Sequence, residues 1–324
     1  MDKEDVVTSQ KELARIGLGA LPLAIANSGR SGARRFLEFF AVTIRNKNTR
    51  LAYAQAAKQF FDWCEQRGID TLDRIEPVVV AAYIEQHPAS KPTIKQHLAA
   101  IRMLFDWMVT GQIVEHNPAT SVRGPKHVVK RGKTSVLTAE EARTLLDSIE
   151  TTTVIGLRDR ALIGVMVYSF ARVSAAVSMK VEDFYAEGKR WWLRLHEKGG
   201  KRHEVPAHHN ADGYIDAYLK AAGIASDKKT PLFRSVDRKG FLTARGFTRN
   251  DALRMIKRRA AAAGLSAKTC CHSFRATGIT AYLENGGTIE NAQAIAAHES
   301  PRTTKLYDRT SDEITLDEIE RIAI

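Results

Sequence analysis

Between residues 31 and 120 apolar positions return every three or four residues, the period of helices packed on one face. In NTRLAYAQAAKQFFDWCEQRG (48–68), Asn48 and Thr49 offer caps to a first turn and Gly68 offers a stop. Leu51, Ala54, Phe61 and Cys64 mark its inward stripe. Pro77 opens a short helix through Tyr83 and Ile84. A third helix is expected over 90–111, with Ile94, Leu98, Ile101, Phe105 and Met108 inward and Lys91, Lys95 and Arg102 on other faces. Those three cations fit a solvated surface or a phosphate-facing one.

Beyond residue 136 the pattern mixes periods. Thr138 and Glu141 form a capping box for a helix. GLRDRALIGVMVYSFAR reads as a buried helix ending near Arg172. RWWLRLHEKGGKRHEVPA alternates as two strands around KGG. Helices follow over ADGYIDAYLKAAG, over FTRNDALRMIKRRAAAAG (with Arg254, Lys257, Arg258 and Arg259), over CHSFRATGITAYLENG and over TIENAQAIAAH. The expected fold is two-domain: an all-α N-terminal domain over 31–120, then a mainly α domain over 136–324 (α+β, with a small antiparallel sheet). The stretch 121–135, SVRGPKHVVKRGKTS, holds five Lys/Arg (Arg123, Lys126, Lys130, Arg131, Lys133) and no acid, and reads as a basic interdomain linker. Residues 1–30 include LARIGLGALPLAIA, apolar but broken by Gly and Pro, an arm or a short docked helix. Near the end, Leu316, Ile319 and Ile322 give an apolar stripe to a tail helix over 312–324, docked either in cis or on a neighbouring copy.

The charge balance points the chain at a partner. Over 324 residues the formal net charge is +12, which suits a polyanion: nucleic acid first, a membrane surface second. The longest apolar run, ALIGVMVYSFA, is about half a membrane span, so no membrane role is expected. Three cysteines, two of them adjacent, make no disulfide framework and fit a reducing cytoplasm. No metal-ligand spacing is apparent, and the start MDKEDVVTSQ is too acidic for a signal peptide.

Attack on a phosphodiester needs fixed cations against the equatorial oxygens of the transition state, and the planar fork of Arg suits two oxygens at once. HSFR sets His272 and Arg275 three apart, on one helix face. Arg172, between two apolar stretches, is costly to bury without an anion or an acid. Lys198 and Lys201 lie at the hairpin tip. AAHESPRTTKLY supplies His298 and, nine residues on, Tyr307. Each piece alone has an ordinary structural reading.

Their order is more specific. SFARVSAAV, EKGGKRHEVPA, CHSFRATGIT and AAHESPRTTKLY together resemble the tyrosine recombinase (phage integrase) family. Its pattern runs TGLR-x-S-E-L, GKG-x-K-x-R-x-VPL, H-x-L-R/H-x-x-R and LGH…TT…Y. NTRLAYAQAAKQFFDWC and VEHNPATSVRGPK resemble its core-binding (SAM-like) N-terminal domain and that domain's exit, so the likeness spans roughly residues 35–310.

The resemblance implies site-specific cleavage and rejoining of double-stranded DNA through a 3′-phosphotyrosine and a Holliday junction, in integration, excision or resolution, without metal, ATP or other cofactor. Tyr307 would be the nucleophile. Arg172 and Arg275 would hold the non-bridging oxygens, Lys198 would protonate the leaving 5′-oxygen with Lys201 as fallback, and His272 and His298 would serve the phosphate. The implied partner is a specific recombination site, bound by a homotetramer on two duplexes joined through the C-terminal tail. Lys91, Lys95, Arg102, Arg123, Lys126, Lys130, Arg131, Arg254, Lys257 and Arg258 are the candidate DNA contacts. The departures are Ala175, where the family carries an acid three residues after the first Arg, and SFAR in place of TGLR. Weakened chemistry, or a replacement acid from elsewhere, is expected. The alternatives are a type IB topoisomerase-like relaxing enzyme and a DNA-binding architectural protein with weakened catalysis.

Overall fold

A computed structural model of the chain describes residues 13–14, 17–129, 132–197 and 200–307. The chain divides into two compact units, Met1–Val128 and Val129–Ile324, with the division inside the basic stretch.

The first unit is helical: α1 (Leu23–Asn27), α2 (Gly29–Glu38), a π-turn (Phe39–Thr43), α3 (Lys47–Glu65), α4 (Pro77–Gln86) and α5 (Lys91–Thr110). The α5 stripe is as its periodicity predicts, with Ile94, Leu98, Ile101, Phe105 and Met108 all buried. The cap of α3 differs from expectation. Asn46, not Asn48, accepts from the Asn48 and Thr49 amides at 3.0 and 3.2 Å. The helix therefore starts earlier, and Phe60 and Ala57 face inward while Leu51 is exposed. Leu18, Ala24 and Ile25 are buried in the same core, so the apolar N-terminal stretch is docked on this unit. No helix among the described residues is long and apolar enough to cross a membrane.

The second unit begins with α6 (Ala139–Asp147), whose Thr138–Glu141 capping box is formed, and α7 (Val154–Tyr168). The α7 helix is buried or half-buried along its whole length and sits at the centre of the unit, as a mostly apolar helix must, with the charged Arg158–Asp159 pair inside it. It stops at Tyr168, four residues short of Arg172, because Phe170 takes a left-handed backbone with φ of 53°. Then come α8 (Val173–Ser178), β1 (Phe184–Glu187), β2 (Arg190–His196) and β3 (Arg202–Pro206), an antiparallel sheet in the order β1-β2-β3. Next are α9 (His209–Ala222), the hairpin β4 (Arg234–Val236) with β5 (Leu242–Gly246), α10 (Arg249–Ala262), α11 (Cys271–Glu284), α12 (Ile289–Ile295) and α13 (Pro301–Lys305). The strands β1, β4 and β5 and the helix α13 were not expected from the sequence. Each has at most five residues, too few to display a period.

Two close approaches fix the frame. A Cβ on Gly278 would collide with the Val167 carbonyl and the Phe170 ring, so this glycine lets α11 lie against the end of α7. Asp159, fully buried on α7, holds Arg158 at 2.6 Å and Arg259 of α10 at 2.8 Å. Arg158 also donates to the Arg234 carbonyl and lies over the Phe247 ring. Removing the carboxylate strands two guanidinium groups with little water. Asp159→Ala is expected to lower unfolding free energy by about 3–5 kcal/mol, measured by denaturant titration, whereas an exposed pair such as Arg34–Glu38 should be worth under about 1 kcal/mol.

Candidate active site

Four segments of the second unit meet around Arg275. This residue lies in the first turns of α11, one helix face with His272, and is 1% exposed. Its guanidinium donates to the Phe170 carbonyl and, at 2.6 Å, to the Ala296 carbonyl. Phe170 stands two residues before Arg172, and Ala296 two before His298. One buried side chain thus ties the turn carrying Arg172 to the turn carrying His298. Both turns are left-handed at non-glycine residues, Phe170 at φ of 53° and Ala297 at 48°. The family pattern has glycine at both places. Here the two carbonyls held by Arg275, and the burial of Phe170 in a small core shared with Ile279, Leu283 and Ala296, keep turns that side chains disfavour.

Arg172 caps α8 and pairs with Glu197. Glu197 follows β2 in phase: Leu193 and Leu195 face the core, and so does Glu197. A carboxylate delivered there needs a cation, and Arg172 is that cation. Ala175, one turn into α8, is fully buried and carries no charge.

The charges crowd. Burial first, and then Arg172, push the pKa of Arg275 down to about 10, against the opposing pull of Glu197 and Tyr307. His298 is 6% exposed, and burial followed by the Arg275 and Arg172 charges lowers its pKa to about 3. It is neutral at any physiological pH. Its Nδ1 lies 2.9 Å from the Thr304 hydroxyl, and its ring stacks on Tyr307 at 5.7 Å between centroids with 10° between planes. His272 is open to solvent at its outer edge. Desolvation by the surrounding protein, then Arg275, Arg172 and Arg249, still hold it below an ordinary imidazole.

Tyr307 is half-buried against the small core that holds Phe170, Ile279 and Ala296. Backbone bonds set it: Thr280 Oγ1 donates to its carbonyl at 2.8 Å, and the Gly132 amide donates to the Leu306 carbonyl at 3.0 Å. Residues on the way out of the basic stretch are thereby anchored beside Tyr307.

Among the sequence-nominated residues, Arg172, His272, Arg275, His298 and Tyr307 lie together. Lys198 lies outside the described residues, and Lys201 is exposed beyond the Glu197 turn. Lys91, Lys95, Arg123 and Lys126 are exposed on the first unit. Arg102 is committed inward, donating to the Ala119 and Val122 carbonyls. Arg254 pairs with Asp251 at 2.9 Å, Lys257 donates to the Ala267 carbonyl, and Arg258 is exposed with Asp159 3.6 Å away. Lys130 and Arg131 lie outside the described residues. A cavity of about 700 Å³ lined by Arg158, Arg245, Arg254 and Arg258 shares no residue with the site. Sequence motifs did not single out Glu197, although the two-residue phase of β2 points it inward, nor Arg249, which carried no motif.

The phage integrase family matches residues 135–313, and the phage integrase N-terminal SAM-like domain matches residues 33–112. The tyrosine recombinase XerD of Listeria monocytogenes serotype 4b (strain F2365) is 26% identical over 281 residues, covering 84% of this chain and 91% of the relative. The tyrosine recombinase XerC of Escherichia coli O139:H28 (strain E24377A / ETEC) is 25% identical over 280 residues, covering 84% and 89%. In fold, the chain is similar to the XerH site-specific recombinase bound to difH substrate in a pre-cleavage complex (TM-score 0.61, 18% identity, 99% of this chain and 88% of that one). It is similar also to a lambda integrase dimer bound to a COC′ core site (TM-score 0.63, 20% identity, 97% and 89%).

If Phe170 and Ala297 are held against their preference, glycine at the smaller of the two should be tolerated or better. Ala297→Gly is expected to raise stability by about 0.5–1 kcal/mol, the left-handed penalty less the chain entropy of glycine. A loss in denaturant titration would contradict the strain.

Proposed function

We propose a strand-exchange reaction through Tyr307, on the premise that the chain belongs to the phage integrase family and is a site-specific tyrosine recombinase acting on DNA. The phenol oxygen of Tyr307 attacks the scissile phosphorus. A bond forms from that oxygen to phosphorus, the bond to the 5′-oxygen breaks, and the phosphate remains as a 3′-phosphotyrosyl ester. The observation that carries the reading is the packing of Tyr307 on His298 beside the buried Arg275.

The roles follow from the donors. Arg275 uses one hydrogen of each terminal nitrogen on carbonyls and keeps further N–H groups for a non-bridging oxygen. Arg172, 28% exposed at its side chain, presents a second fork to the same phosphate. His298, neutral, has its Nδ1 2.9 Å from the Thr304 hydroxyl; in the tautomer that accepts there, the ring proton is on Nε2 and donates to a phosphate oxygen. The outward edge of His272 takes the phenol proton. Lys198 protonates the departing 5′-oxygen. The ester conserves the bond energy, so a 5′-hydroxyl can attack it in the reverse sense, and rejoining needs no ATP or metal.

Two cleaved duplexes exchanged in sequence pass through a Holliday junction, which calls for four copies on two duplexes, each carrying the specific recombination site, in the cytoplasm. The DNA is gripped through phosphates by exposed cations, Lys91, Lys95, Arg123 and Lys126 among them, so affinity falls steeply with salt. Copies are joined by the tail over 312–324, outside the described residues.

Nicked suicide DNA carrying the native site is expected to give a covalent adduct with the wild-type chain and none with Tyr307→Phe at unchanged binding; an adduct with the Phe variant would refute the assignment. Deleting 312–324 should abolish cooperative assembly on paired sites while sparing single-site binding. Unchanged cooperativity would rule out the tail as the joint.

A further inference from the structure

Glu197 is the one carboxylate described in contact with Arg172. It sits where a lone carboxylate would be costly, its side chain 3% exposed, and the β2 alternation that sends Leu193 and Leu195 inward sends it there too. An acidic residue at position 175, the third of α8, could reach back to the N-terminal cap at Arg172, but the methyl group of Ala175 cannot. We infer that Glu197 supplies the carboxylate that Ala175 lacks and acts as the positioning residue for Arg172. The inference rests on the proposed phosphate-binding role of Arg172.

Three observations support it. Glu197 lies close enough to Arg275 for its charge to act on that guanidinium as well, so one carboxylate offsets the repulsion between the two cations of the site. Its backbone closes the β2–β3 turn, its amide donating to the Lys201 carbonyl at 2.9 Å and its carbonyl accepting from Gly200 at 3.3 Å. The side chain is therefore aimed from a fixed hairpin base. And Glu197 immediately precedes Lys198, the proposed proton donor. The same residue that orients the phosphate-binding Arg thus also ties the base of the donor's loop to the site. The opposite role, in which Glu197 merely occupies the place of a phosphate until DNA displaces it, predicts the reverse effect of its removal.

The test compares Glu197→Gln, which keeps size and removes charge, with Glu197→Asp, which keeps charge. On suicide DNA at saturating concentration, Glu197→Gln should slow single-turnover cleavage about 10- to 100-fold, the size of effect that loss of an outer partner has at metal sites, with DNA affinity and melting temperature close to wild type. Glu197→Asp should recover part of the rate. Adding Ala175→Glu to Glu197→Gln should restore it further, which a purely structural role in the hairpin would not allow. Independently of any reaction, the Arg172 guanidinium NMR signals should show hindered rotation in the wild type and averaging in Glu197→Gln. Cleavage by Glu197→Gln at or above the wild-type rate, or equal rotation in both proteins, overturns the inference. Failure of the wild type to form an adduct would count against the Tyr307 reading, while the NMR comparison would still decide whether Glu197 holds Arg172.

Discussion

The constraint on which the site depends is the burial of one guanidinium. Arg275 is removed from water and held by two main-chain carbonyls, each on a turn that brings another functional residue, Arg172 or His298, into reach. A buried cation without acceptors would be prohibitive. The chain meets the requirement with backbone oxygens rather than with a carboxylate of Arg275's own, which leaves the positive charge largely uncancelled. Burial first, and then that residual field, depresses His298 and His272, and the field is what an approaching phosphate would meet.

The surrounding fold serves this arrangement. Gly278 allows α11 to touch the end of α7, so the Phe170 carbonyl and Arg275 come together. Asp159 locks α10 to α7 from the other side. Short elements at the C-terminal end, α12 and α13, bring the Ala296 carbonyl, Thr304 and Tyr307 to the same place with hardly more than a turn or two of helix each. The site is a meeting of helix ends and turns, where backbone groups are free to bind side chains.

Much of this was legible in the sequence, for different reasons in different parts. The long helix α5 announces itself by periodicity, α7 by its unbroken apolar run, and the capping box at Thr138 by spacing. The site residues were legible through the order of their motifs rather than through any one of them. What was not legible is local and conformational. Nothing in SFAR or AAH says that Phe170 and Ala297 turn left-handed, because both are residues that avoid it. Asn46 captured the cap of α3 that Asn48 and Thr49 seemed to offer, since a cap is decided by which side chain precedes the turn that forms. Arg102 looked like a surface cation and is instead spent on two carbonyls. An acid from elsewhere was expected in place of the one missing at Ala175, and Glu197, the carboxylate found on Arg172, is visible only if the phase of β2 is carried one residue past its end.

The most direct test of the account is a crystal structure of the protein with vanadate and a nicked DNA, since a trigonal-bipyramidal vanadate reports where the transition-state oxygens lie. The account predicts vanadium bonded to the Tyr307 oxygen, equatorial oxygens on Arg172 and Arg275, and Arg275 still joined to the Phe170 and Ala296 carbonyls. Vanadate seated on another side chain, or an Arg275 that leaves both carbonyls without touching an oxygen, would contradict it.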